Sequence, residues 1–254
     1  MLSYKIEGKG SPVVLLHAFP LSSRMWQSEI KAFALFAKII VPDLPGFGES
    51  LLQKEMSIAE MAKSVAELLD HLGERGPVFI AGLSMGGYIA FEFMRQFPAR
   101  VKGLGLFSTR ATPDSPEARE KRFKAVEAIQ THGIEAFGKK MIENLLGETT
   151  RRAKPEIVRE VMDMILANRA EGPVNALKAM ADRRDSTDIL PSIHCPVLIV
   201  AGEEDTLIPA EAARELQSRI QGSELRFFPK TGHLINLEQP DLFQKMLKDF
   251  LNRK

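Results

Sequence analysis

The chain has 254 residues, of which 44% are hydrophobic and 26% charged, with a formal net charge of +1 and one cysteine. These fractions are those of a globular chain and exclude general disorder. Lys and Arg (34) nearly cancel Asp and Glu (33), which leaves no global field to hold nucleic acid, and Cys195 alone excludes an intrachain disulfide, in keeping with a reducing compartment. The start, Met1 to Glu7, lacks the basic residues and long apolar run of a signal peptide, and apolar stretches such as Pro196 to Gly202 are too short to span a bilayer. The expectation is a cytoplasmic protein with neither a membrane nor a nucleic-acid partner.

The first 110 or so residues alternate strand and helix signals. Pro12 to His17 is a short apolar run, as expected of a strand covered on both faces. Lys38 to Asp43 is a second, closed by the turn residues Pro45-Gly46-Phe47-Gly48. Ser57-Ile58-Ala59-Glu60 reads as a capping box, and the helix it opens places Ile58, Met61, Val65, Leu68 and Leu72 on one face. Pro77 to Gly82 is a third strand, a helix runs through Arg95-Gln96-Phe97, and Val101 to Phe107 is a fourth strand. The pattern returns near the C-terminus with a strand over Pro196 to Ala201, a helix over Pro209 to Ile220 and a strand over Leu225 to Phe228. The final amphipathic helix carries Leu242, Phe243, Met246, Leu247 and Phe250. Strands alternating with helices at this spacing predict βαβ units and a mostly parallel central sheet flanked by helices.

From about residue 112 to 188 the pattern is helical only. One stretch carries Val126, Ile129, Phe137, Met141 and Leu145, another Ile157, Val161, Met164 and Ile165. A helical insertion between two halves of one sheet predicts a cap after the fourth predicted strand, over a core made of residues 1–111 and 189–254; an interaction arm is the alternative. The expected cap wall is largely apolar, which favours small uncharged substrates.

The sharpest motif is Gly82-Leu83-Ser84-Met85-Gly86-Gly87, between a buried strand and a helix. This is G-x-S-x-G in the setting that gives it meaning: a tight strand-to-helix turn that lifts the serine hydroxyl clear of the sheet and aims a helix N-terminus at developing negative charge. Ser84 is therefore the candidate nucleophile. A serine hydroxyl needs a base, and the base needs an orienting acid. In a parallel sheet such groups gather at the carboxyl ends of the strands. Of the five histidines, His71 and His132 lie in helical segments, His194 precedes a strand, and His17 opens a loop with another task. His233 follows the last strand and is the candidate base. Asp205 ends Gly202-Glu203-Glu204-Asp205, after the preceding strand, and is the candidate acid, with Glu203 and Glu204 as alternatives. Asp43 also follows a strand, but Leu44-Pro45-Gly46 after it points to a turn-fixing role.

With its order Ser84, Asp205, His233, the chain resembles the α/β-hydrolase superfamily over nearly its whole length, through His17-Ala18-Phe19-Pro20, Asp43 to Ser50, the Ser84 turn, Gly202 to Asp205 and Gly232-His233. Its branch looks like the small esterases, 3-oxoadipate enol-lactonases and cofactor-free haloperoxidase or perhydrolase relatives. The resemblance implies an α/β-hydrolase fold and hydrolysis of small carboxylic esters or lactones through an acyl-enzyme. It also implies an oxyanion hole made by the backbone N–H groups of Phe19 and Met85, although Ala18 stands where the family usually has glycine. Pro20 after an aromatic residue is similar to the haloperoxidase and perhydrolase relatives, which makes peroxide an alternative acyl acceptor. A small-molecule receptor retaining the triad is the non-enzymatic alternative.

Pro20 and Trp26 are candidate pocket residues, with loop rigidity and helix packing as their structural alternatives. Gly46-Phe47-Gly48 lacks the rest of a phosphate loop, and no Cys and His cluster has metal-ligand spacing, so neither metal nor cofactor is expected. Arg183 and Arg184 either face a substrate carboxylate or form a solvated basic pair.

Overall fold

The computed structural model describes residues 1–53 and 56–252. Seven strands form one sheet: β1 (Tyr4–Glu7), β2 (Pro12–Leu16), β3 (Lys38–Pro42), β4 (Val78–Leu83), β5 (Val101–Phe107), β6 (Val197–Gly202) and β7 (Glu224–Phe228). Their spatial order is β1-β3-β2-β4-β5-β6-β7. Only β1 runs antiparallel, against β3; the other pairings are parallel. β1 escaped the sequence reading because it is a four-residue edge strand that alternates half-buried and exposed residues, with no apolar run.

The helices are α1 (Gln27–Phe33), α2 (Ile58–His71), α3 (Met85–Gln96), α4 (Pro116–Leu145), α5 (Glu148–Ala153), α6 (Pro155–Leu166), α7 (Glu171–Ala181), α8 (Ala210–Arg219), α9 (Ile235–Glu238) and α10 (Pro240–Leu251). The expected cap at α2 forms: the Ser57 hydroxyl accepts the Glu60 N–H at 3.0 Å. Ser115 caps α4 in the same way, with Pro116 in the first turn, where its missing N–H costs nothing. The long apolar pattern from Val126 to Leu145 is not one straight helix. Gly133 leaves helical geometry (φ 80°, ψ 169°) and breaks α4 into two segments.

Period-two alternation along the buried strands divides the core into two layers. Val14, Leu16, Ile40 and Ile80 pack with α2 and α3 on one face. Val13, Leu15, Ile39 and Phe79 pack with α1 and α10 on the other. Both faces of β4 and β6 are fully covered. Each such leucine contributes about 1.5–3 kcal/mol through its burial.

This topology positions the site. After β2 the chain moves outward to β3, then crosses back to β4 on the opposite side of β2. The loops following β2 and β4 therefore diverge at the carboxyl edge and leave a crevice there. Leu16 is in register with Gly82, which sets the His17 loop beside the Ser84 turn. Between β5 and β6 the chain is helical, α4 to α7.

Candidate active site

Ser84 sits between β4 and α3 with φ 56° and ψ −111°, a strained conformation for a residue with a side chain. The turn is held from two sides. The Ser84 N–H donates to the Phe107 carbonyl at 2.9 Å, and its carbonyl accepts the Thr109 hydroxyl at 2.9 Å. The flanking glycines are forced by close approach: a Cβ on Gly82 would lie 2.0 Å from the Gly86 oxygen, and one on Gly86 would lie 2.4 Å from the Leu16 oxygen. Met85 opens α3, so its N–H has no partner within the helix and is free to serve an anion.

The structure brings His233 and Asp205 together. His233 Nδ1 lies 2.7 Å from Asp205 Oδ2, with both side chains essentially buried. The other Asp205 oxygen accepts the Leu207 and Ile208 N–H groups at 2.9 and 3.0 Å, so the carboxylate is fixed by its own loop. His233 Nε2 is buried without a hydrogen-bond partner, and His233 and Ser84 line the same cleft. Glu204 turns away: its carboxylate takes the Thr149 N–H and hydroxyl, and chiefly that hydroxyl lowers its pKa. Glu203 is exposed, as are His71, His132 and His194.

His17 has a structural task. Its Nε2 accepts the Leu44 N–H at 3.0 Å, which leaves the proton on Nδ1 to be donated to the Ala18 carbonyl. Burial pushes its pKa down to about 4, so the ring is neutral at pH 7. Asp43 accepts the Ser23 and Glu49 N–H groups, the turn-fixing role its sequence neighbours indicated. Together they hold the loop that carries Phe19, whose ring borders the cleft and meets Phe137 of α4 edge-on at 6.0 Å.

The cleft encloses about 560 Å³. Two expectations about its lining are corrected. Trp26 is fully buried and packs at a tilt against Phe243 in the layer beneath α10, outside the cleft. Pro20 is buried as well, its carbonyl accepting the Asn168 amide at 2.9 Å; its side chain is not part of the cleft wall. Nor is the wall simply apolar: beside Tyr88, Phe137, Met141 and Leu177 it contains Arg110, Asp114, Lys121 and Arg122. Sequence reasoning missed Arg110, Asp114 and Arg122, because nothing in their spacing shows that residues after β5 and on α4 face one cleft. Arg183 is buried against Asp114, and Arg184 is an exposed partner of Asp188.

Elsewhere, burial raises the pKa of the half-buried Cys195 thiol, away from reactivity. Among the described residues no group of His, Cys, Asp or Glu is arranged to hold a metal ion, and no helix is long and apolar enough to cross a membrane.

Residues 11–240 match the alpha/beta hydrolase fold family. The chain belongs to that family. It is similar to an esterase from Thermogutta terrifontis solved with malate bound, with 39% identity and a TM-score of 0.95 over 98% of this chain and 92% of that one. It is also similar to Est816, described as an N-acyl homoserine lactone degrading enzyme, with 30% identity and a TM-score of 0.83 over 98% and 96% of the two chains. Among curated relatives, the pimeloyl-[acyl-carrier protein] methyl ester esterase of Vibrio vulnificus is 25% identical over 99% of this chain and 98% of its own length. The resemblance to the α/β-hydrolase superfamily and the α/β-hydrolase fold are thus both borne out. The chain is an enzyme of the family with esterase and lactonase relatives.

Proposed function

We propose that this protein is a serine hydrolase that cleaves small carboxylic esters or lactones through an acyl-enzyme. The observation that carries the reading is the 2.7 Å contact between Asp205 and His233 Nδ1, which leaves His233 Nε2 unpartnered in the cleft that also exposes Ser84. Nδ1 donates to Asp205, so the lone pair on Nε2 is the one available to take a proton.

In this mechanism His233 removes the Ser84 proton as the oxygen attacks the substrate carbonyl. The Met85 and Phe19 N–H groups receive the oxyanion, a contribution of about 10²–10³ in rate for each donor. Asp205 stabilises the imidazolium, which then protonates the leaving alcohol; in a lactone that alcohol stays tethered to the acyl group. His233 next takes a proton from water, whose hydroxide attacks the acyl carbon. Collapse returns the proton to Ser84 and releases the acid. The helices within 112–188 act as the cap that walls the cleft over a core of residues 1–111 and 189–254. Esterase and lactone-degrading relatives support this choice of carbonyl substrates.

The test is Ser84→Ala. Wild-type protein is expected to hydrolyse p-nitrophenyl acetate and to gain one adduct from a fluorophosphonate probe in its intact mass. The variant should do neither. Hydrolysis by the variant at the wild-type rate, or a wild-type protein that resists the probe, rejects the reading.

A further inference from the structure

The cleft beside Ser84 carries more positive charge than its own acid balances. Asp114 is the acid among the described residues that line it, and its side chain has no exposure. Three guanidinium groups converge on that one carboxylate. Arg110 Nη2 reaches Oδ1 at 2.6 Å, Arg183 Nη1 reaches the same oxygen at 2.7 Å, and Arg122 donates to both oxygens, from Nε to Oδ2 and from Nη2 to Oδ1 at 3.4 Å. Lys121 joins Arg110 and Arg122 as a third cation of the wall, with the exposed Glu117 near it.

These arginines are not equivalent. Arg183 is 3% exposed, donates to the Met180 and Thr112 carbonyls at 2.9 and 2.8 Å, and lies over the Tyr88 ring at 4.2 Å. It is committed to the interior. One carboxylate balances one of the three guanidinium charges, and Arg110 and Arg122 are the two that bring the remainder to the cleft. They are 25% and 19% exposed, and both line the cleft. The Nε groups of Arg110 and Arg183 are both buried with no hydrogen-bond partner. Gathering like charges in a partly desolvated cleft is unfavourable unless an anion joins them. Asp114 therefore aims the two guanidinium groups without neutralising them both. A planar fork of N–H donors fits a planar carboxylate with two parallel bonds.

We propose that Arg110 and Arg122 form a carboxylate-binding subsite, so that the favoured substrates are esters or lactones carrying a free carboxylate. This builds on the serine hydrolase reading, and it replaces the expected preference for uncharged substrates.

Glutarate binding tests the subsite without any turnover. In calorimetry with Ser84→Ala protein, glutarate should bind, and Arg110→Gln or Arg122→Gln added to it should weaken binding roughly 10- to 100-fold, the range of a lost charge-assisted hydrogen bond. Arg110→Gln is the safer variant for folding, since Arg122 and Arg183 still hold Asp114. Absence of glutarate binding, or equal binding by the arginine variants, overturns the subsite.

Turnover gives the second readout, with p-nitrophenyl valerate as the neutral ester and p-nitrophenyl hemiglutarate and 4-carboxyphenyl valerate placing the charge on either side of the bond. In the arginine variants at least one charged ester should lose roughly 10- to 100-fold more kcat/KM than the neutral one, through KM, and the difference should shrink in high salt. Equal losses on all three overturn the proposal. Failure of the hydrolase reading looks different: no ester is turned over and the fluorophosphonate does not label, while the glutarate titration still decides the subsite.

Discussion

Gly147, between α4 and α5, lies backbone to backbone against Gly232, the residue before His233. A Cβ on Gly232 would fall 2.1 Å from the Gly147 nitrogen, and both N–H groups donate to Glu238 Oε2 at 3.0 Å. One buried carboxylate thus ties the helices between β5 and β6 to the loop that carries His233. Glu238→Ala would strand two buried N–H groups, at about 1–3 kcal/mol each. The expected result is a lower denaturation midpoint together with a reduced kcat. Gly232→Ala should be at least as damaging, because the backbone has no room to yield. Thermal melts and steady-state kinetics check both, and a Gly232→Ala protein with wild-type stability would contradict the packing.

Asp205→Asn probes the tautomer of His233. The asparagine oxygen should keep the Leu207 and Ile208 N–H groups, which turns its amide nitrogen toward Nδ1. The histidine must then carry its proton on Nε2, where it cannot accept one from Ser84. The expected loss in kcat is about 10³–10⁴-fold with the fold intact. Circular dichroism and p-nitrophenyl ester kinetics measure the two halves of that statement; a loss under tenfold would argue against the assigned role.

His17 should make stability fall on mild acidification. Burial holds its folded pKa at about 4, below the ordinary value of about 6.5, so between these values the unfolded chain binds a proton that the native one refuses. Its neutral-state stability is complete above about pH 6.5 and declines toward pH 4, by up to about 1.4 kcal/mol per pH unit. His17→Gln should flatten the pH dependence of the urea midpoint in that window. Parallel wild-type and variant curves would refute the assignment.

Glu29 acts with the opposite sign. Burial against α10 and α9 pushes its pKa up to about 7, partly offset by hydrogen bonds from Gln244, Asn236 and Ser28. The native state therefore keeps a proton that the unfolded state releases from about pH 4.5 upward, and stability drops as pH rises to about 7. Glu29→Gln removes that drop. Relative to wild type it should gain with pH across the window and level off above about pH 7, by about 3 kcal/mol at about 1.4 kcal/mol per unit. Chemical denaturation at pH 5 and pH 8 is enough to see it; a constant difference between the two proteins would count against a buried, titrating Glu29.

Much of the architecture was legible because buried parallel strands announce themselves. Val78 to Leu83 and Val197 to Gly202 are covered on both faces, so their apolar runs are unbroken. Ser84, Asp205 and His233 could be proposed as candidates because each lies in the loop after a strand, at the edge where a parallel sheet opens its crevice. β1 was illegible for the converse reason: an edge strand half in solvent needs no apolar run. Trp26 was misplaced because a large aromatic just beyond the Phe19 loop suits a pocket and a core equally well in sequence. Only the packing of α10 against the sheet puts it on Phe243.

Sequence alone therefore determined the chain order of the strands β2 to β7 and the serine turn, since local patterning and tight turns are written in neighbouring residues. Tertiary structure decided which side chains share the cleft. Arg110, Asp114, Arg122 and Arg183 are spread over some seventy positions, yet they meet at one carboxylate because α4 and α7 fold back over the end of β5. Net charge near zero concealed this cluster. A sum over the chain carries no information about where its charges gather, and it is the local surplus beside Ser84 that a substrate meets.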